Sequence, residues 1–479
     1  MKKWIWVLAC LCLPLFSSGR DNLAVLKNDI ERIIHHADPQ ASVGIDVISM
    51  HNHQRLYSKN HKQRFIPASI TKLLTLGAAF DLLGANYTYK TGIFTDGKVE
   101  NGILYGNLYV KGSGDPTLGT GDLEHLVKNL HLKGISEVKG SVVVDSSAFD
   151  STPFAAGWMV EDTAFISSAL PSALSINQSC FDIWIRPGAQ EASPAIVLSD
   201  LLNIELPFLI DNQTHTISNT PENHLVEVTT DCMSKESVVR IAGNMSLQGA
   251  PQHKRVPIKE PALMAGVIVK DMMKRYGIVF KGAVHEGITP VDATVLAEHT
   301  SDSLLSIGQK MCKKSDNFFA HCLFKTLGKE VQGPPGSWQS GSKALREFLT
   351  GKVHIDASEI VLLDGSGLSR YNLISPLQMV DFLSWAGSNV VFGSEFKAAL
   401  SIAGIDGTLK NRCLNLRGKL RGKTGTMTGV SSLCGYLFTK DGEELAFTII
   451  VNGTTKPQQD IREKLIDPIC VTLGNFSRR

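Results

Sequence analysis

Hydrophobic and polar positions near the start of the chain follow first a helical and then a strand period. Residues 22–37 repeat apolar side chains three and four positions apart, which predicts an amphipathic helix. Residues 43–49 alternate as a strand does, and residues 54–58 are predicted to return beside them after a polar turn. Pro67 then begins a further helix, which is predicted to end before Gly84.

The rest of the chain divides into a β-rich middle and a mixed end. Residues 87–287 contain short β segments separated by turn residues, and helical spacing returns at 261–276 and 301–327. Strands are predicted at 422–426, 433–439 and 445–451, and a last helix at 458–473. The pattern indicates an α/β (α+β) protein with a β-rich block between its ends.

Composition narrows the class of protein without naming a function. Hydrophobic residues make up 43% and charged residues 20% of 479, an ordinary globular mixture of about two to four domains. The net charge of +2 lacks the basic excess typical of a nucleic-acid binder. No apolar run reaches 18 residues, so no membrane-spanning helix or transmembrane anchor is expected.

The first residues have the pattern of an export signal. Lys2 and Lys3 precede an apolar run over residues 4–16, and small residues follow at 17–19. This order predicts a signal peptide over residues 1–19 and a protein exported to the periplasm. A buried N-terminal helix and lipidation at Cys10 are the alternatives that remain open.

Cysteine and histidine spacing gives no metal or redox motif. Nine cysteines less Cys10 and Cys12 of the signal leave seven, an odd and scattered set without Cys-x-x-Cys. One or two disulfides stay open, although most of these cysteines are expected to be small buried apolar residues. His-Glu-x-x-His is also missing from the sequence, so no metal site and no cofactor are predicted.

Ser69 and Lys72 lie at the predicted start of the buried helix. Residues three apart share a helix face, so the lysine amine can reach the serine hydroxyl. A serine needs a neighbouring base to act as a nucleophile, and a lysine becomes that base when burial lowers its pKa. Three other Ser-x-x-Lys pairs occur, at Ser136, Ser340 and Ser394, so the spacing alone does not identify Ser69. Ser69 differs because it follows Pro67 and leads into an apolar helix that is expected to be buried.

Two further motifs follow Ser69 in the order that such chemistry requires. Ser315-Asp316-Asn317 could supply a hydroxyl and an amide, although an ordinary helix cap has the same composition. Lys423-Thr424-Gly425-Thr426 could hold a carboxylate at a strand edge. Lys90-Thr91-Gly92 repeats three of these letters, but no Ser-x-Asn precedes it after Ser69.

The three motifs together resemble those of penicillin-binding proteins and serine β-lactamases. The strings at 107–118, 172–177 and 364–370 narrow the resemblance to the D-alanyl-D-alanine carboxypeptidase/endopeptidase family, the class C low-molecular-mass penicillin-binding proteins. The first of these strings departs from the family, because it contains Gly112-Ser113-Gly114 where three consecutive glycines are more usual. The family implies a penicillin-binding domain of antiparallel sheet with helices, formed by residues 20–92 and 288–479. Residues 93–287 would form one or two inserted β-rich domains.

The resemblance also implies a mechanism and a set of site residues. Ser69 would form an acyl-enzyme with peptidoglycan stem peptides, Lys72 would take its proton, and Ser315 would relay a proton to the leaving D-alanine. Substrate binding is implied for Asn317, Lys423, Thr424, Gly425 and Thr426. β-Lactam antibiotics would be inhibitors. By composition alone, residues 364–369 could equally be a flexible surface loop, whereas the family resemblance implies a loop beside the cleft.

Three other functions remain open. A serine β-lactamase shares the motifs but is usually a compact unit without an insertion of this length. A catalytically dead wall-binding protein would have no reason to keep all three motifs. An esterase of the same fold is the third, because fold does not fix function.

Overall fold

The computed structural model describes residues 18–199, 208–218, 225–230 and 238–478. Cys232 and residues 1–17, which make up most of the predicted signal peptide, lie outside the described residues. The α-helices in the described chain are α1 (Ser18–Ala37), α2 (Thr71–Leu82), α3 (Thr120–Leu132), α4 (Pro261–Arg275), α5 (Leu304–Lys314), α6 (Asn317–Gln332), α7 (Trp338–Gly351), α8 (Pro376–Ser388), α9 (Gly393–Ala399), α10 (Gln458–Ile461) and α11 (Asp467–Asn475). A 3-10 turn at Ala68–Ile70 precedes α2, and a π-helix at Arg462–Ile466 joins α10 to α11.

The strands form five sheets in the described part of the chain. They are β1 (Ser42–Ser49), β2 (Arg55–Lys59), β3 (Lys90–Thr95), β4 (Lys98–Glu100), β5 (Ile103–Tyr105), β6 (Leu108–Lys111), β7 (Glu137–Val138), β8 (Val142–Asp145), β9 (Cys180–Arg186), β10 (Ile196–Leu198), β11 (Leu209–Ile217), β12 (Val226–Thr230), β13 (Val238–Ser246), β14 (Gln252–Pro257), β15 (Val279–Phe280), β16 (Val284–Glu286), β17 (Thr294–Thr300), β18 (Ser401–Ile402), β19 (Leu420–Met427), β20 (Val430–Phe438) and β21 (Glu444–Asn452).

A six-stranded antiparallel sheet joins the two ends of the chain, in the order β18-β19-β20-β21-β1-β2. Its central strands are buried along almost their whole length because helices cover both faces. On one face, Leu26 and Ile30 of α1 pack with Ile45 of β1 and with α11. On the other face, α8 contacts β1 and β21.

Helix α2 is the central helix of the second layer. Every residue from Thr71 to Phe80 is buried, which is the pattern of a helix surrounded by protein. Helices α5, α6 and α7 pack around it. The 3-10 turn before α2 is fixed to the sheet, since the Ser432 hydroxyl donates to the Pro67 carbonyl oxygen over 2.7 Å.

The middle of the chain contains more helix than the sequence pattern predicted. Strands β16, β8, β6, β3 and β17 form a five-stranded sheet, and α3 and α4 pack beside its strands. Helix α3 lies within the region expected to be rich in short β segments and was not itself predicted. Strand β3 spans the predicted boundary between residues 92 and 93, and the division into a peptidase domain and an insertion stays a prediction.

The described cysteines are all buried free thiols: Cys180, Cys312, Cys322, Cys413, Cys434 and Cys470. They pack as small apolar side chains within the hydrophobic clusters. Among the described helices, none is long and apolar enough to cross a bilayer.

Candidate active site

Ser69 lies in the 3-10 turn that leads into α2, with its side chain half-buried. One turn later Lys72 is completely buried, and its Nζ lies 2.9 Å from the Ser69 Oγ. Ala68, directly before the serine, has a φ of +52°, a region that alanine rarely adopts. Such strain persists only where the surrounding structure imposes it, and here it adjoins the candidate nucleophile.

Lys72 contacts two further oxygen atoms besides the Ser69 hydroxyl. The Asn317 Oδ1 lies at 2.6 Å and the Ser366 carbonyl oxygen at 2.8 Å from Nζ. The Asn317 Nδ2 donates to the Ser167 carbonyl oxygen over 2.9 Å, which fixes this assignment of the amide. A neutral lysine has two N–H donors and one lone pair. As an ammonium, Lys72 donates to all three oxygens, including the Ser69 Oγ. In the neutral form the amide and carbonyl oxygens, which can only accept, take both donors, and the lone pair is left for the Ser69 hydroxyl proton.

The environment keeps Lys72 partly neutral near physiological pH. Burial, which removes the hydration of the ammonium, and the neighbouring Lys423 charge together lower the pKa of Lys72 to about 7. The nearby Asp316 and Asp364 act in the opposite direction but do not outweigh burial. A lysine that is partly neutral and lies within hydrogen-bond distance of a serine hydroxyl can accept its proton.

Ser315 and Lys423 form a second serine–lysine pair across the cleft. Ser315 ends α5 in the left-handed conformation, with a φ of +58°, and Asp316 then caps α6 by accepting from the Phe319 N–H. Lys423 on β19 is completely buried, and its Nζ donates to the Ser315 Oγ and to the Thr424 carbonyl oxygen, both over 2.7 Å. Burial lowers the pKa of Lys423 to about 8. Because the lysine donates, the Ser315 hydroxyl proton is left for another acceptor.

The end of β19 lies beside this second pair. Thr424 is buried and its hydroxyl bonds to the Thr408 hydroxyl over 2.8 Å, whereas Thr426 is exposed. A Cβ on Gly425 would lie 2.1 Å from the Ser432 Oγ and 2.9 Å from the Pro67 carbonyl oxygen. The strand can therefore approach the serine turn this closely only with glycine at that position.

The loop at residues 364–369 is buried against the site, as the family resemblance implied. It is not the flexible surface loop that its composition would also allow. The Asp364 carboxylate accepts from the Gly367 and Ser369 backbone N–H groups, each over 2.7 Å, and from the Trp158 indole over 2.8 Å. These bonds hold the loop that presents the Ser366 carbonyl oxygen to Lys72.

His321 is a site neighbour that the sequence did not indicate. It lies one helical turn after Asn317 on α6, and its Nε2 is 2.8 Å from the Ser366 Oγ. Complete burial lowers the pKa of His321 to about 3, so the ring stays neutral under physiological conditions. The spacing of four residues from Asn317 is the signal that could have found it.

The structure thus brings Ser69, Lys72, Ser315, Asn317 and Lys423 into one connected group, with Thr424, Gly425 and Thr426 continuing along β19. The alternative Lys90-Thr91-Gly92 lies in β3, in a different sheet. In the residues that the structure describes, no group of three or more His, Cys, Asp or Glu side chains could hold a metal ion.

A buried lysine beside a serine, with a second serine–lysine pair opposite, is an arrangement typical of serine acyl-transfer enzymes. Comparison with family models matches residues 26–472 to the D-Ala-D-Ala carboxypeptidase 3 (S13) family. The chain belongs to this family.

Individual relatives agree with this assignment. The chain is 33% identical to a D-alanyl-D-alanine carboxypeptidase of Actinomadura sp., over 91% of this chain and 82% of that protein. It is 30% identical to the D-alanyl-D-alanine carboxypeptidase DacB of Haemophilus influenzae, over 86% of each. The crystal structure of penicillin binding protein 4 (dacB) from H. influenzae superposes with a TM-score of 0.82 at 25% identity, covering 92% of this chain and 97% of that one. A second structure of that protein holds a β-lactam. The predicted family, fold class and enzyme class are confirmed.

Proposed function

We propose that this protein cleaves the bond between the two D-alanines of peptidoglycan stem peptides through an acyl-enzyme on Ser69. The observation that carries the proposal is the contact of 2.9 Å between the Ser69 Oγ and the Nζ of the completely buried Lys72. The family and its D-alanyl-D-alanine carboxypeptidase relatives support the choice of substrate.

In the first half-reaction, the Ser69 Oγ attacks the carbonyl carbon of the penultimate D-alanine while Lys72 takes the hydroxyl proton. The backbone N–H groups of Ser69 and Thr426 stabilise the oxyanion, as the resemblance to the family implies. The C–N bond then breaks. Ser315 gives its hydroxyl proton to the departing amine and is reprotonated with the proton that Lys72 took, so that both groups return to their starting protonation state. The Lys423–Ser315 contact of 2.7 Å supports this relay, because it leaves the Ser315 hydroxyl proton free to be donated.

In the second half-reaction, water adds to the serine ester and releases the shortened peptide. Asn317 holds the substrate amide, while Lys423, Thr424 and Thr426 bind the terminal carboxylate, with Gly425 allowing close approach. Penicillins acylate the same serine, and the β-lactam complex of the H. influenzae relative supports this part. We further propose that the protein is exported after removal of residues 1–19, and that residues 93–287 form the inserted domains.

The test is release of free D-alanine from a diacetylated L-Lys-D-Ala-D-Ala peptide. Wild type is expected to release D-alanine, and Ser69→Ala and Lys72→Ala to lose the activity while keeping their fold. Ser136→Ala is the matched control. Ser136 belongs to another Ser-x-x-Lys sequence, but its side chain is exposed and its hydroxyl donates to the Gly102 carbonyl oxygen over 3.1 Å. Activity that survives in Ser69→Ala would contradict the proposal.

A further inference from the structure

Arg462 lies at the exposed end of β19, outside the three sequence motifs. It is the first residue of the π-helix, and such helices are often found at functional sites. One turn earlier, the Gln458 amide donates to the Met427 carbonyl oxygen over 2.8 Å, which ties this helix to the end of the strand. The Arg462 Nη2 donates to the Thr426 Oγ1 over 3.2 Å.

This contact determines how the Thr426 hydroxyl can act. A guanidinium has five N–H donors and no acceptor, so the Thr426 oxygen must be the acceptor. The hydroxyl proton of Thr426 is then free to be donated. Since Thr426 is exposed, its partner would be an acceptor in the cleft.

Arg462 forms no ion pair with a carboxylate among the described residues. Asp467 on the following helix is near enough for its charge to act on Arg462, but its carboxylate pairs with Arg412 over 2.6 Å. The Arg462 Nε is buried and has no hydrogen-bond partner among the described residues. Burial and the neighbouring Arg412 lower the pKa of Arg462, although a guanidinium remains protonated. A guanidinium without an ion-pair partner and with unused N–H donors favours an anion nearby.

We infer that Arg462 is a positioning residue for the terminal carboxylate of the substrate, acting through the Thr426 hydroxyl and through its own charge. This inference rests on the proposed function, in which Thr426 receives that carboxylate. The arginine sets the direction of the threonine O–H bond and adds positive charge beside Lys423. It therefore contributes to the preference for substrates with a free carboxylate.

The test compares Arg462→Gln and Arg462→Lys with wild type on two peptides, one ending in D-Ala-D-Ala and the other in its carboxamide. For the peptide with a free carboxylate, Arg462→Gln is expected to lower kcat/KM roughly ten- to a hundredfold, mainly by raising KM. This is the size of effect expected when a hydrogen bond to a charged group is lost. The carboxamide rate should stay within about twofold, and Arg462→Lys should recover part of the loss on the acid. Lys464→Gln is the matched control, because Lys464 lies in the same π-helix but pairs with Asp460 on the surface.

An equal loss on both peptides, or wild-type kinetics of Arg462→Gln on the acid, would overturn the inference. If wild type cleaves neither peptide, the proposed function fails. Acylation rates with penicillin and with its methyl ester then decide the role of Arg462. A loss confined to the free acid supports it, and an equal loss on acid and ester overturns it.

Discussion

The rate of acylation by penicillin should depend on pH through the two buried lysines. Lys72 must be neutral to accept the Ser69 proton, and its pKa is lowered to about 7 by burial and by the nearby Lys423 charge. Below this pKa the lysine becomes protonated, so the rate should fall about tenfold per pH unit, to about 1% of its maximum at pH 5. Above about pH 8 Lys423 loses its proton, and binding of the penicillin carboxylate should weaken.

The expected profile of the second-order acylation rate is therefore a bell with its maximum between pH 7 and 8. Because the two lysines interact, the two apparent pKa values belong to the pair. An ordinary lysine, with a pKa of 10.5, would be neutral in only about one molecule in three thousand at pH 7. Its rate would continue to rise tenfold per pH unit up to pH 9.

Stopped-flow acylation with a chromogenic cephalosporin between pH 5 and 9.5 measures this profile, with near-ultraviolet circular dichroism as the check on folding. Lys423→Gln removes the second cation, so the acid limb should move to higher pH and the basic limb should disappear. A flat profile, or one that rises without a break to pH 9, would refute the assignment of Lys72 as a base with a lowered pKa.

Three further changes test the packing around the site. Asp364→Asn should slow acylation at least about tenfold in the same assay, because it weakens the hydrogen bonds that position the Ser366 carbonyl oxygen beside Lys72. An unchanged rate would show that these bonds do not position the loop. Gly367→Ala should abolish acylation, since Gly367 has a φ of +85° and a Cβ there would lie 1.9 Å from the Ala68 carbonyl oxygen. Gly351→Ala, which meets no atom within 4 Å, should retain the wild-type rate. Phe447→Ala in the sheet core should lower the free energy of unfolding by about 3–5 kcal/mol in urea titration, and a loss below 1 kcal/mol would contradict the packing.

Local spacing was sufficient to predict the parts of the site that are local. The three-residue separation of Ser69 and Lys72 gives their contact as soon as a helix is assumed. The strands predicted at 422–426, 433–439 and 445–451 overlap β19, β20 and β21. A helical pattern also exists in α3, where Leu123, Leu126, Val127 and Leu130 are buried on one face. This helix was not predicted, because short β segments precede and follow it in the sequence.

Other features depend on contacts that no local pattern contains. The helix predicted over residues 301–327 is interrupted, because Ser315 adopts a left-handed conformation and Asp316 begins a new helix. A serine side chain does not specify that conformation; the surrounding packing does. The Ser366 oxygen beside Lys72 is a backbone atom, which every residue type would offer. Likewise, the bond between Trp158 and Asp364 joins residues far apart in the chain.

The most direct test of the central claim is the intact mass of the protein after mixing with penicillin, measured beside Ser69→Ala. The mechanism predicts a stable adduct of one penicillin per wild-type molecule and none on Ser69→Ala. A transient adduct with rapid loss of the drug would instead indicate a β-lactamase. An adduct that survives in Ser69→Ala, or no adduct on wild type, would contradict the assignment of Ser69 as the nucleophile.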